Sequence, residues 1–188
     1  MSRMGNPHVF GDRLYLFGSH DRFGGKVYCE NDYVLWSAPV EDLSDWHCYG
    51  IIYRREQDPH CKGKDSHMWA PDVTKGPDGR FYMYYGTDFD NRIGVAVAST
   101  PEGPYSFYGE VRYSDGTRYG GRPGELLRFD PGVLADDDGK IWLYTGFCPT
   151  DPWFQTIAKK NNVTIVAAGS QVAELGEDML TIKTEPVF

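Results

Sequence analysis

Pro131-Gly132-Val133-Leu134-Ala135-Asp136-Asp137-Asp138-Gly139-Lys140-Ile141-Trp142-Leu143-Tyr144-Thr145-Gly146 reads as two short strands joined by a tight turn. A proline opens the first strand. Asp138-Gly139 supplies the residue pair that two-residue hairpin turns favour. An alternating aliphatic and aromatic run then ends at a glycine. The same order of parts occurs twice more. Pro71-Asp72-Val73 leads through Asp78-Gly79-Arg80 to Phe81-Tyr82-Met83-Tyr84-Tyr85-Gly86, and Pro7-His8-Val9-Phe10 leads through Gly11-Asp12-Arg13 to Leu14-Tyr15-Leu16-Phe17-Gly18. The prolines are 64 and 60 residues apart.

A second half-repeat fills the intervals: Asp32-Tyr33-Val34-Leu35-Trp36-Ser37, Ile93 to Ser99, and Thr164 to Gly169. Each is followed by one more β-rich segment, Trp46–Tyr53, Tyr105–Tyr113 and Met179–Val187. Four strands per unit, repeated at a fixed period, describe an all-β fold of the β-propeller type. A β-sandwich is the competing architecture, but it does not require so regular a period. The units fall at about 7–55, 68–113 and 128–188. Propellers close with four to eight blades, so 1–188 is expected to be an incomplete β-propeller domain, a fragment whose open blade edges offer surfaces for self-association.

Composition agrees with this class. Glycine is 22 of 188 residues and tyrosine 13, and no stretch carries helical apolar periodicity over three turns. With 19 Lys+Arg against 27 Asp+Glu the net charge is −8, which disfavours nucleic acid and anionic membranes as partners. No apolar run is long enough to span a bilayer, and Met1 to Asn6 holds no signal-peptide core, so a cytoplasmic location is expected. Cys29, Cys48, Cys61 and Cys148 form no zinc spacing with His47, His60 or His67. Asp136-Asp137-Asp138-Gly139 has the composition of a calcium loop but not its ligand spacing, and reads as a solvated turn. Gly120-Gly121-Arg122-Pro123-Gly124 lacks the Lys-Ser/Thr of a phosphate loop and reads as a loop at a pocket mouth. No G-x-S-x-G elbow is present.

In a propeller the innermost strands run along the central channel, so groups at their equivalent ends converge. Those positions are Asn6 before Pro7, Asp72 after Pro71, and Asp130 before Pro131. An aspartate beside a proline also simply starts a strand well, and recurrence at related sites is what favours a shared site. Trp69, His67, His20, Asp21 and Phe147 lie near the same ends and suit a sugar, with apolar ring faces on aromatics and hydroxyls on carboxylates.

Phe129-Asp130-Pro131-Gly132-Val133-Leu134 with Asp136 to Tyr144 resembles the third-blade signature of glycoside hydrolase family 43. Trp69-Ala70-Pro71-Asp72-Val73 resembles its second-blade motif, and Pro7 to Phe10 through Gly18-Ser19-His20-Asp21 its first. The resemblance runs from about residue 7 to 188, with the motifs in family order. It implies a five-bladed propeller and an inverting hydrolase of arabinose- or xylose-containing glycans, with no cofactor required and a structural calcium allowed by the family but not indicated by these residues.

In that mechanism one carboxylate activates water and a carboxylic acid protonates the leaving oxygen. The resemblance makes Asp130 the third carboxylate, which orients the acid and tunes its pKa, and gives Asp72 a supporting or substrate-contact role. The general-base position falls on Asn6, whose amide cannot take a proton from water. The general-acid glutamate belongs to a following blade, and Glu185 is not promoted to that place. The chain alone is therefore expected to be inactive. Asn6 marks either a pseudoenzyme that binds glycan or a truncated or misjoined lead-in, the latter favoured. A non-catalytic carbohydrate-binding propeller and an interaction scaffold remain as alternatives.

Overall fold

The computed structural model describes residues 5–61, 63, 66–88, 90–146, 152–160 and 169–188. They form three predominantly antiparallel sheets. The first contains β1 (Pro7–Phe10), β2 (Arg13–His20), β3 (Asn31–Pro39) and β4 (His47–Tyr53) in that order. The second contains β5 (Asp72–Lys75), β6 (Phe81–Tyr85), β7 (Gly94–Ala98) and β8 (Ser106–Glu110). The third runs β10 (Gly132–Ala135), β11 (Ile141–Thr145), β12 (Gln171–Leu175), β13 (Thr181–Ile182) and then β9 (Arg112–Tyr113).

The sheets stack face to face, with the second in the middle. Strand β6 makes the layering plain, because all five of its residues are buried. Side chains alternate across a strand, so Phe81, Met83 and Tyr85 pack with Tyr15, Phe17 and Leu35 of the first sheet. Tyr82 and Tyr84 point the other way, towards Val133, Leu143 and Leu175 of the third. A strand buried on both faces cannot belong to a two-layer sandwich. The outer faces of the flanking sheets stay apolar and open. Val9, Trp36 and Ile51 of the first are 57%, 39% and 45% exposed, and Leu134 and Tyr144 of the third 48% and 44%.

Several local expectations need correction. The Asp-Gly hairpins close three-residue loops, not two: Gly76 N–H bonds Arg80 O, and Asp136 N–H bonds Lys140 O. Gly79 and Gly139 both sit at φ +82, the left-handed position that such a loop ends on. The Tyr105–Tyr113 segment is not one strand of the second sheet. It turns inward at Val111, which is fully buried, and Arg112–Tyr113 then pair in parallel with Thr181–Ile182 of the third sheet. This crossing interlocks neighbouring sheets through Val111, Tyr113, Leu180 and Ile182 in one cluster.

The third strand of the last sheet is Gln171–Leu175, later than the predicted Thr164–Gly169, of which 164–168 lie outside the described residues. A helix, α1 (Pro152–Lys160), also stands between β11 and β12. Proline is well tolerated at a helix start, and Lys159 and Lys160 suit the negative end of the helix dipole. Nine residues are too few for a three-turn periodicity test. Among the described residues no helix is long and apolar enough to cross a membrane.

Candidate active site

The antiparallel pairing brings six strand ends to one side of the molecule. The starts of β1, β5 and β10 lie beside the ends of β2, β6 and β11, because Pro7 pairs with Leu16, Asp72 with Tyr84 and Gly132 with Tyr144. A cavity of about 370 Å³ opens there, lined by Gly5, Asn6, Ala70, Pro71, Asp130, Pro131 and Gly132. The three proline motifs that the repeat aligns therefore do meet.

Superposing the three prolines separates two rows of residues. Asn6, Ala70 and Asp130 precede the prolines, and all three line the cavity. His8, Asp72 and Gly132 follow them. Asp72 thus stands two residues beyond the position of Asn6 and Asp130 in its motif, and unlike Gly132 in the same row it does not line the cavity. It is 3% exposed, Oδ1 accepts from His8 Nε2 at 2.5 Å, and Oδ2 accepts from Val133 N–H at 2.7 Å. Both carboxylate oxygens are engaged with protein.

Asp130 is the one ionisable residue among the described residues that line the cavity. Its Oδ1 is buried with no hydrogen-bond partner, and burial raises its carboxyl pKa to about 6. Its backbone has φ +43, a left-handed conformation that costs a non-glycine residue about 1–2 kcal/mol. Strain and an unsatisfied buried acceptor at one residue are the usual marks of a site kept for a ligand. Cys29 is strained as well, at φ +59, and fully buried. Burial pushes its thiol up to about 11, reinforced by the charges of Asp21 and Asp130.

An aromatic wall is built from residues next in sequence to Ala70 and Asp130 of the lining. His67 stacks on Trp69 with centroids 5.2 Å apart and planes 11° apart, and Trp69 meets Phe129 at 5.3 Å. Asp88 holds both front residues: its backbone carbonyl accepts from Trp69 Nε1 at 2.5 Å, and its carboxylate accepts from His67 N–H at 2.9 Å. Helix α1 backs the wall, burying Ala158 with Leu127 and Phe129 against Trp69. Nothing in the sequence pattern singled out Asp88, Cys29 or His8. His8 alone had an available signal, its place after the first proline.

The other predicted residues lie further out. His20 ends β2, paired with Asn31, and is not in the cavity lining. Asp21 accepts from Cys29 N–H at 2.9 Å and opens a separate loop, 21–28. Phe147 and Cys148 lie outside the described residues. The glycine-rich segment is not at this cavity. Arg122 stacks on Tyr113 at 3.4 Å and pairs with Asp115 and Glu185, lining a second cavity of about 280 Å³ with Arg128. Among the described residues no three His, Cys, Asp or Glu side chains gather to hold a metal ion. In the Asp136–Asp138 turn the Asp136 carboxylate accepts from Asp137 N–H and the Asp138 carboxylate from Lys140.

Comparison with known proteins places this geometry. A family model described as glycosyl hydrolases family 43 matches residues 7–186. A xylosidase/arabinosidase of Thermoclostridium stercorarium is 49% identical over 97% of this chain and 36% of its own length. Xylosidase/arabinosidase 43A of Humicola insolens is 30% identical over 93% of this chain and 56% of its own. The crystal structure of a family 43 enzyme from Xanthomonas citri, complexed with xylose, superposes with a TM-score of 0.71 at 26% identity, over 99% of this chain and 54% of that one. The chain spans between about a third and somewhat over half the length of these relatives.

Proposed function

Because the chain belongs to glycosyl hydrolases family 43, we propose that the cavity at the starts of β1, β5 and β10 is part of a glycosidase site for arabinose- or xylose-containing glycans. The observation that carries this reading is Asp130, a buried carboxyl with a free acceptor oxygen inside a small cavity and next in sequence to Phe129 of an aromatic wall. A pentose ring has an apolar face for Trp69 and hydroxyls for Asp130 and Asn6. The three sheets are read as three blades of a five-bladed propeller, with Asp130 orienting the acid and tuning its pKa.

Inversion needs a base and an acid carboxyl on opposite faces of the sugar, and Asp130, the one carboxyl among the described lining residues, is given neither role. Asn6 stands where the base belongs. Its amide cannot accept a proton from water, and loss of an acid–base partner costs about 10²–10⁴ in rate. The purified chain is therefore expected to bind pentoses without turning over an aryl arabinofuranoside or xyloside. Xylose, arabinose or xylobiose should raise its melting temperature, since a ligand of the folded form stabilises it, and Asp130→Ala should remove that shift. Stabilisation by none of these sugars favours the interaction-scaffold reading. Steady turnover by the chain contradicts the role given to Asn6.

The two open apolar faces carry a second expectation. Trp36 and Ile51 on one flank, and Leu134 and Tyr144 on the other, form exposed patches of the kind that mark association surfaces. Sedimentation velocity should show concentration-dependent self-association, suppressed by combining Trp36→Glu with Leu134→Glu. A monomer at every concentration tested is the opposing result.

A further inference from the structure

We propose that Asp72 is a positioning residue, whose carboxylate locks the first strands of all three sheets together and thereby holds Asp130 in the cavity. The bonds are specific. Oδ1 takes the His8 Nε2 proton at 2.5 Å, which ties β5 to β1, and Oδ2 takes the Val133 amide at 2.7 Å, which ties β5 to β10. The aspartate is 3% exposed, so neither bond competes with bulk water. Hydrogen bonds to a charged acceptor are about twice as strong as neutral ones. The repeat prepares the place for it. Gly132 stands at the third equivalent of His8 and Asp72, and its Cβ position lies 3.9 Å from Asp72 Oδ2, which sets the carboxylate in van der Waals range of the start of β10. Val133 is three residues from Asp130, and only Pro131 and the strand start at Gly132 stand between them.

Asp130 cannot hold itself. Its Oδ1 has no partner and its backbone is in the left-handed region. Such a conformation persists only where its surroundings over-determine it, and on its C-terminal side the Gly132–Tyr144 strand pair is followed at once by the Asp72–Val133 bond, the tie to the neighbouring sheet. The role of Asp130 in glycan binding rests on the function proposed above, but the clamp is tested without any sugar.

The measurement is carboxyl-carbon NMR titration of the full chain, with the Asp130 signal assigned by its loss in Asp130→Asn. Asp72→Asn and Asp72→Ala remove the same charge and differ in geometry, and neither touches the neighbouring Asp21 or Cys29. The asparagine oxygen can accept from Val133 and its amide can donate to His8. With Asp72→Asn, the Asp130 midpoint should stay near 6. With Asp72→Ala, the strand start is released, water reaches the carboxyl, and the midpoint should fall towards its ordinary 3.8. An unchanged midpoint in Asp72→Ala overturns the proposal, as does an equal fall in both variants. Where Asp72→Ala does not fold, the His8 pair decides: His8→Ala should lower the midpoint and His8→Gln, which can donate to Asp72, should restore it. No response to His8→Ala again overturns the clamp. If the midpoints follow this order while pentoses fail to bind, the clamp stands and only the glycosidase reading falls.

Discussion

Arg92→Met is expected to destabilise the fold by about 3–5 kcal/mol, read as a loss of about 6–20 °C in melting temperature for a chain of this size. The guanidinium is fully buried and makes three bonds: to Asp58 Oδ2 at 2.9 Å, to Asp90 Oδ2 at 3.0 Å and to Thr87 Oγ1 at 2.7 Å. Asp58 is equally buried and also accepts from Tyr85, whose hydroxyl bonds that of Tyr53. Burial works against the charge on Arg92, but Asp90 and Asp58 outweigh it and raise its pKa. Methionine fills similar space and leaves Asp58 in an apolar interior with no cation. Removing one partner of a buried pair is costly for that reason, whereas removing both is often nearly neutral. Arg92→Met with Asp58→Asn should accordingly recover part of the loss. A single-variant loss below about 1 kcal/mol, the scale of an exposed pair, would show that water reaches the cluster.

The same network explains part of what the sequence concealed. Strands and hairpins were legible because their signals are local: Pro-to-Gly runs of alternating residues, with Asp-Gly turns between them. Arg92 sits just before β7 and looks like any surface arginine until Asp58, 34 residues earlier, is brought against it. Its neighbour Asp88 fixes His67 and Trp69, so the aromatic wall depends on a loop with no motif of its own. The crossing of Arg112–Tyr113 into the third sheet was hidden likewise, since its partner strand lies almost 70 residues downstream.

The candidate site was half legible. The proline repeat pointed to Asn6 and Asp130, and both line one cavity. It did not distinguish the row before the prolines from the row after them, because −1 and +1 share a face in an extended chain. What separates Asp130 from Asp72 is what each side chain meets: Asp130 lines the cavity, and Asp72 is turned to His8 and Val133. One-dimensional periodicity carries no information on those partners until the neighbouring strands are placed.

Stability is expected to fall as pH rises from about 4 to about 6, by up to roughly 3 kcal/mol, and Asp130→Asn is expected to remove most of that slope. Burial raises the folded carboxyl from 3.8 to about 6. Between those values the native chain holds a proton that the unfolded chain has released, so ionisation penalises the native state and stability declines with pH. Below the window both states are protonated and the penalty is absent; above it both are ionised and the penalty is constant. Asp90 is also raised by burial and acts in the same direction, but it is common to both proteins, so the difference between native chain and Asp130→Asn isolates Asp130. Carboxylates held low at the surface, Asp115 and Asp138 among them, contribute only below the window. Urea denaturation at half-unit pH steps measures the difference, and parallel curves for the two proteins are the outcome that refutes it. The cost of ionising Asp130 has a chemical cause that a ligand can relieve. Its buried Oδ1 lacks a donor, and a pentose hydroxyl bound in the cavity as proposed above would supply one. Saturating xylose should therefore flatten the slope in the native chain and leave Asp130→Asn unaffected. A slope indifferent to sugar means that Asp130 strains the fold without facing the substrate.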